Sequence, residues 1–134
     1  MLSLFPQLFD WSFFAPTLLR AAAGLFLLSL AYRHLHNDRA AALASLQSKL
    51  GTMAAFGVWY MGILELCASL FLLTGFLTQF GALLSIVVSL QMLFIRRHIA
   101  GHFGHHNAVY LFLIAMSLSL LLTGPGAFAF DLSL

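Results

Sequence analysis

The sequence predicts an all-α membrane protein, a polytopic bundle of four transmembrane helices that forms a single domain over residues 1–134. Hydrophobic residues make up 62% of the chain and charged residues only 7%, and the mean hydropathy is +0.99. A soluble domain normally carries about 25% charged residues, so too little polar surface is available here to cover a soluble globule. The apolar runs are also continuous, which excludes the alternating pattern of an outer-membrane barrel.

Four apolar runs approach the roughly 20 residues that a helix needs to cross a bilayer. The predicted crossings are residues 16–32, 57–74, 77–95 and 108–123. The first begins at Pro16, because proline suits the first turn of a helix. A tight turn is expected at Gly75, and Gly124-Pro125-Gly126 ends the fourth crossing, since proline cannot continue a helix and glycine tolerates the turn.

The first loop, residues 33–56, contains a short predicted helix. Leu43, Leu46 and Leu50 fall on one face of it at helical spacing. This pattern fits an amphipathic helix lying on the membrane surface. It fits an ordinary solvated connector equally well.

The basic residues predict the orientation of the chain in the membrane. Five of the six lie in two loops, residues 33–56 and 96–107: Arg33, Arg39, Lys49, Arg96 and Arg97. Loops enriched in lysine and arginine stay on the cytoplasmic side. We therefore expect a multi-pass protein of the cell (inner) membrane with both loops cytoplasmic and both termini outside.

Glu65 is the one acidic residue within the predicted crossings. A charge at the centre of a bilayer costs about 2.5–3.5 kcal/mol on insertion scales, so such residues face the interior of a bundle and pair. Gly62, Ala68 and Ser69 lie three or four positions away, and small residues of this kind allow close helix packing. The sequence therefore predicts that Glu65 points into the bundle.

Arg20 is the expected partner of Glu65, because Ala23 and Gly24 give it a similar small-residue face on the first crossing. The contact is predicted to be direct or through water, although Asp10 and Asp131 are also acidic candidates for Arg20. The pair has two interpretations. It is either a scaffold that fixes helix register or a working polar site in which Glu65 titrates or faces a small ligand.

Several classes of chemistry lack the residues that they need. Cys67 is the single cysteine, and dithiol exchange takes two sulfurs. No flavin, dinucleotide or iron–sulfur motif is present, so the chain is not expected to be a self-sufficient oxidoreductase. The few basic residues are topology signals, and no nucleic-acid partner is predicted.

The histidines are weak candidates for ligands. His98, His102, His105 and His106 could converge on one helical face, but no nearby cysteine or carboxylate completes a metal site. No metal is therefore predicted. An intramembrane haem is also not expected, because all six histidines fall in or near the predicted cytoplasmic loops.

Three stretches resemble the DoxX (DoxX/DoxD-like) family of small four-helix membrane proteins. They are LLRAAAGLFLL with Arg20, GILELCASLFLLTGFLTQFGALLS with Glu65, and HHNAVYLFLIAMSLSLLLTGPGAFAFD at the end of the chain. The resemblance spans nearly the whole chain. It implies a membrane-embedded subunit of redox systems that handle sulfur, thiols or oxidative stress, with Arg20, Glu65, Asn107 and Asp131 as the candidate polar site.

The function predicted from this resemblance is an accessory or quinone-associated component of a membrane redox system. No catalytic residue is assigned, and any enzymatic activity would belong to an oxidoreductase complex. No intrinsic cofactor is expected, and a quinone is the candidate ligand. The expected partners are the lipid bilayer, a membrane or peripheral oxidoreductase subunit, and a second copy of the chain. A small proton-coupled transporter and a purely structural or assembly subunit remain as alternatives.

Overall fold

A computed structural model describes residues 11–98, 106–124 and 126. This part of the chain is almost entirely helical and contains no strand. The α-helices are α1 (Ala15–Tyr32), α2 (Arg39–Leu50), α3 (Ala54–Thr74), α4 (Thr78–His98) and α5 (Asn107–Thr123). The predicted all-α class is therefore confirmed.

Three helical segments are long and apolar enough to cross a membrane: Trp11–Asn37, Arg39–Thr74 and Thr78–His98. The last helix, α5, is also apolar and has 17 residues, which is at the short end of the range for a spanning helix. Large hydrophobic side chains remain exposed along the helices, such as Leu18 and Phe112, each 71% exposed. These side chains face lipid, and the structure is a transmembrane helical bundle.

The long helices pack in a closed ring. Contacts are most extensive between α1 and α3, followed by α4 with α5 and α3 with α4, and α5 closes the ring against α1. The core between them is formed by fully buried side chains such as Leu27, Ala68, Leu72 and Leu120. Because consecutive long helices pack as neighbours, Glu65 on α3 lies between α1 and α4.

The short helix predicted in the first loop is confirmed, and further helical turns flank it on both sides. The helix of the first crossing continues past Tyr32 as a π-helix over Arg33–Asn37, and α3 begins at Ala54. The short helix between them is α2, whose Ala42 and Leu46 are buried against the bundle. Of the two interpretations of this loop, the solvated connector does not hold, because α2 packs on the bundle and contributes to its core.

Candidate functional site: a buried histidine–glutamate pair

The carboxylate of Glu65 binds His34. Nδ1 of His34 lies 2.8 Å from Oε2 and 3.0 Å from Oε1 of Glu65. Both residues are buried: Glu65 has no exposed surface, and His34 is 2% exposed. Nδ1 therefore lies between the two carboxyl oxygens, close enough to share a hydrogen with them, in a region shielded from solvent.

The π-helix after α1 positions His34. Its wider turn is closed by the backbone N–H of Asp38, which donates to the carbonyl oxygen of Arg33 at 2.7 Å, and by an ion pair of 2.9 Å between the two side chains. Leu35 covers Gly62 of α3 so closely that a Cβ on that glycine would lie 2.6 Å from the leucine side chain. Single π-turns often occur at functional sites, and this one brings an imidazole to Glu65.

The predicted contact between Arg20 and Glu65 is wrong, because the structure gives Glu65 the partner His34. The register of the two helices explains the error. Gly24 lies against Leu73, and Leu35 lies against Gly62. The first helical segment and α3 run antiparallel, and the numbers of two residues that face each other total roughly 97 in both contacts. Glu65 is then level with about residue 32, which is about 18 Å along α1 from Arg20 at 1.5 Å per residue.

Arg20 is nevertheless buried, at 5% exposure, and it makes interactions of its own near the other end of the bundle. Asn107 is the exposed first residue of α5, and Asp131 lies outside the described residues. Among the described candidates, the structure therefore separates Arg20 from Glu65, and the place of Asp131 in a polar site stays a prediction. The structure pairs Glu65 with His34, a residue that the sequence analysis placed in the first loop.

His34 carries a signal that could have identified it. The buried residues of α1 follow one face at helical spacing: Arg20, Ala23, Gly24, Leu27, Leu30 and Ala31. One further turn on the same face reaches His34. Because the crossing is predicted to end at Tyr32, His34 is not counted as part of this buried face.

The weak metal candidates do not form a site in the described part of the chain. No group of three or more metal-binding side chains occurs there. The ring of His98 stacks on Phe94 with a centroid distance of 4.2 Å, and its Nδ1 lies 3.0 Å from the carbonyl oxygen of that residue. His106 is exposed before α5, while His102 and His105 lie outside the described residues.

The pair can hold a proton in more than one arrangement. Imidazole titrates near neutral pH in water, and a carboxylate can accept a proton that then bridges back to Nδ1. An arginine in place of His34 could not do this, because a guanidinium does not lose its proton in proteins. The observed pair therefore consists of two groups whose side chains can each carry a proton.

Comparison with known proteins agrees with the resemblance in the sequence. The DoxX family model matches residues 15–98, which include α1 to α4 and both members of the pair. The terminal stretch with α5, which also carries the resemblance, lies outside the matched residues. No curated protein and no solved structure shows significant similarity to the chain. Since the match covers more than half of the sequence, this chain belongs to the DoxX family.

Proposed function

We propose that this protein is an accessory subunit of a quinone-linked membrane redox system, in which His34 and Glu65 exchange protons with the reaction. The observation that carries the proposal is the fully buried Glu65 carboxylate shared with one imidazole. Ionisable residues inside membranes are costly and commonly mark proton or substrate pathways. Reduction of a quinone consumes protons together with electrons, so a proton donor within the membrane suits this chemistry.

The electrons would come from a partner subunit that oxidises a sulfur compound or thiol. The chain has a single cysteine, Cys67, and so cannot cycle between a dithiol and a disulfide by itself. In this scheme the protein supplies the proton path, and the partner supplies the redox centre. We place the protein in the cell (inner) membrane with the end that carries Arg33, Arg96 and Arg97 in the cytoplasm, from where the protons are drawn.

A Glu65→Gln variant tests the proposal. Glutamine keeps an oxygen that accepts from His34 but cannot carry the proton. We expect quinone-linked oxidation in host membranes to fall at least tenfold, since a positioned acid or base contributes about 100-fold or more, while the amount of assembled protein is unchanged. Asp38→Asn is the matched control, because it removes the same charge from a partly exposed ion pair at the same end and keeps the backbone N–H that closes the π-turn.

Unchanged oxidation in membranes that contain the Glu65→Gln protein would contradict the proposal and leave the pair as scaffold. Purification of the full chain in mild detergent gives a second readout. A copurifying flavoprotein or iron–sulfur protein whose absorbance responds to added quinone would support the partner scheme. A homo-oligomer alone, with no redox protein, would contradict it.

A small proton-coupled transporter is the second candidate, and the identity of the partner favours it more than an arginine would. An imidazole can carry or release a proton, whereas a guanidinium stays charged, so a histidine partner allows protonation to be coupled to a change in packing. Vesicles that contain the purified protein and a pH-sensitive dye would distinguish the two functions. Dissipation of a pH gradient by the protein alone, abolished in Glu65→Gln, would support transport.

A further inference from the structure

A cavity of about 370 Å³ lies between the end of α2, the beginning of α3 and the end of α4. Its walls are mainly apolar and include Leu46, Met61, Phe94 and Ile95. The volume lies within the range of cavities that bind small organic ligands. Gly57 also lines it, and a Cβ added there would meet only Leu50, at 3.9 Å, so the space beside α3 is open to an apolar chain.

The polar groups of this cavity favour an anion. They are Lys49 at the end of α2, and Gln91 and His98 on α4. All three can donate hydrogen bonds, and none is an acid. The two acidic side chains that the structure describes are already paired, Asp38 with Arg33 and Glu65 with His34.

The last turn of α4 adds further positive charge through Arg96 and Arg97. Nη1 of Arg96 is buried, and no hydrogen-bond partner for it occurs among the described residues. A buried donor of a charged group is costly to leave unsatisfied. Arg96 lies outside the cavity lining, so it adds positive charge near the cavity and is not one of the groups that would contact an anion there.

We propose that this cavity binds an anionic phospholipid, with one acyl chain against Met61 and Ile95 and the phosphate beside Lys49 and His98. The inference is independent of the proton exchange proposed above. The chain spans the bilayer, so phospholipid is the amphiphile in permanent contact with this end of the bundle. Basic residues next to membrane helices attract anionic headgroups, and the cavity adds a place for the chain.

Native mass spectrometry of the full-length protein in detergent tests the proposal. The probes are phosphatidylglycerol and phosphatidylcholine with identical acyl chains. We expect the wild-type protein to retain one phosphatidylglycerol in preference to phosphatidylcholine. Gly57→Leu fills the cavity without changing charge, and it should weaken retention at least about tenfold, since several buried methylenes are displaced.

Two charge variants separate a defined site from general attraction to the membrane. Lys49→Gln should weaken retention about fivefold, the share of one basic residue near an anionic surface. Arg39→Gln removes the same charge from the other end of α2, where the guanidinium lies over the Trp59 ring, and should leave retention nearly unchanged. Both variants are compared at equal lipid concentration.

Three results would overturn the proposal. The first is equal retention of the two lipids by the wild-type protein. The second is retention of phosphatidylglycerol that Gly57→Leu does not reduce. The third is full displacement of the lipid by an equimolar fatty acid, which would assign the cavity to a free carboxylate.

Discussion

Removal of the imidazole from His34 should be one of the most destabilising single substitutions in this protein. His34→Ala leaves the Glu65 carboxylate fully buried and without the two contacts of 2.8 and 3.0 Å. Loss of one member of a buried ion pair costs about 3–5 kcal/mol. The free energy of unfolding should fall by this amount, measured by titration of the purified protein from mild detergent into a denaturing one.

The ion pair between Arg33 and Asp38 provides the control. It has a similar N–O distance, 2.9 Å, but its side chains are 38% and 29% exposed. Exposed pairs contribute about 0–1 kcal/mol, so Asp38→Ala should cost less than about 1 kcal/mol. Equal costs for His34→Ala and Asp38→Ala would refute the argument from burial.

A double-mutant cycle tests which residue is the partner of Glu65. Substitution of His34 and Glu65 together should show a coupling energy of about 1–3 kcal/mol, whereas Arg20 and Glu65 should be additive to within about 0.5 kcal/mol, because they are about 18 Å apart along the bundle. Replacement of the pair by His34→Leu with Glu65→Met should recover most of the stability, since apolar residues often substitute well for buried ion pairs. Strong coupling of Arg20 to Glu65 would contradict the register derived from the two glycines.

The packing of α3 and α5 gives three further predictions. Gly62→Leu should destabilise the protein by about 1–3 kcal/mol, because its side chain would overlap Leu35; unchanged thermal stability in detergent would contradict the close approach. Gly57→Ala should raise the free energy of unfolding by about 0.5–1 kcal/mol, because the helix gains propensity and the new methyl group meets only Leu50, at 3.9 Å; a loss of stability would contradict this reasoning. The hydroxyl of Ser117 on α5 donates to the hydroxyl of Ser85 on α4 at 2.8 Å. Ser117→Ala should therefore lower the free energy of unfolding by about 0.6 kcal/mol. Adding Ser85→Ala to that variant should lower it by no more than about 0.6 kcal/mol again.

The sequence predicts the fold class because hydropathy alone decides it. Long apolar runs leave a helical bundle as the available structure in a bilayer, and the insertion cost of Glu65 requires that it face the interior. Both statements hold in the structure, where Glu65 has no exposed surface. They depend on composition and helical spacing, which one sequence contains in full.

The partner of Glu65 could not be obtained in the same way. It depends on the register between α1 and α3, which helical spacing within each crossing does not determine. The observed helix extends through the π-turn to Asn37, and the register is fixed by side chains over Gly24 and Gly62. Charge and the small residues Ala23 and Gly24 beside it favoured Arg20. The observed register places His34, and not Arg20, beside Glu65.

The energetics of Glu65 explain why the chain after Tyr32 forms a π-turn and not a loop. A helix that ended at Tyr32 would leave the buried carboxylate against apolar neighbours, at a cost of about 2.5–3.5 kcal/mol on insertion scales. The additional turn satisfies it with one imidazole, and the same turn places Leu35 over Gly62. His34 lies at the end of this helical segment, beside Arg33. This end of the bundle carries the basic residues, where water and protons are expected. For the proposed proton exchange, the pair thus combines burial from solvent with a position beside the basic residues at one end of the bundle.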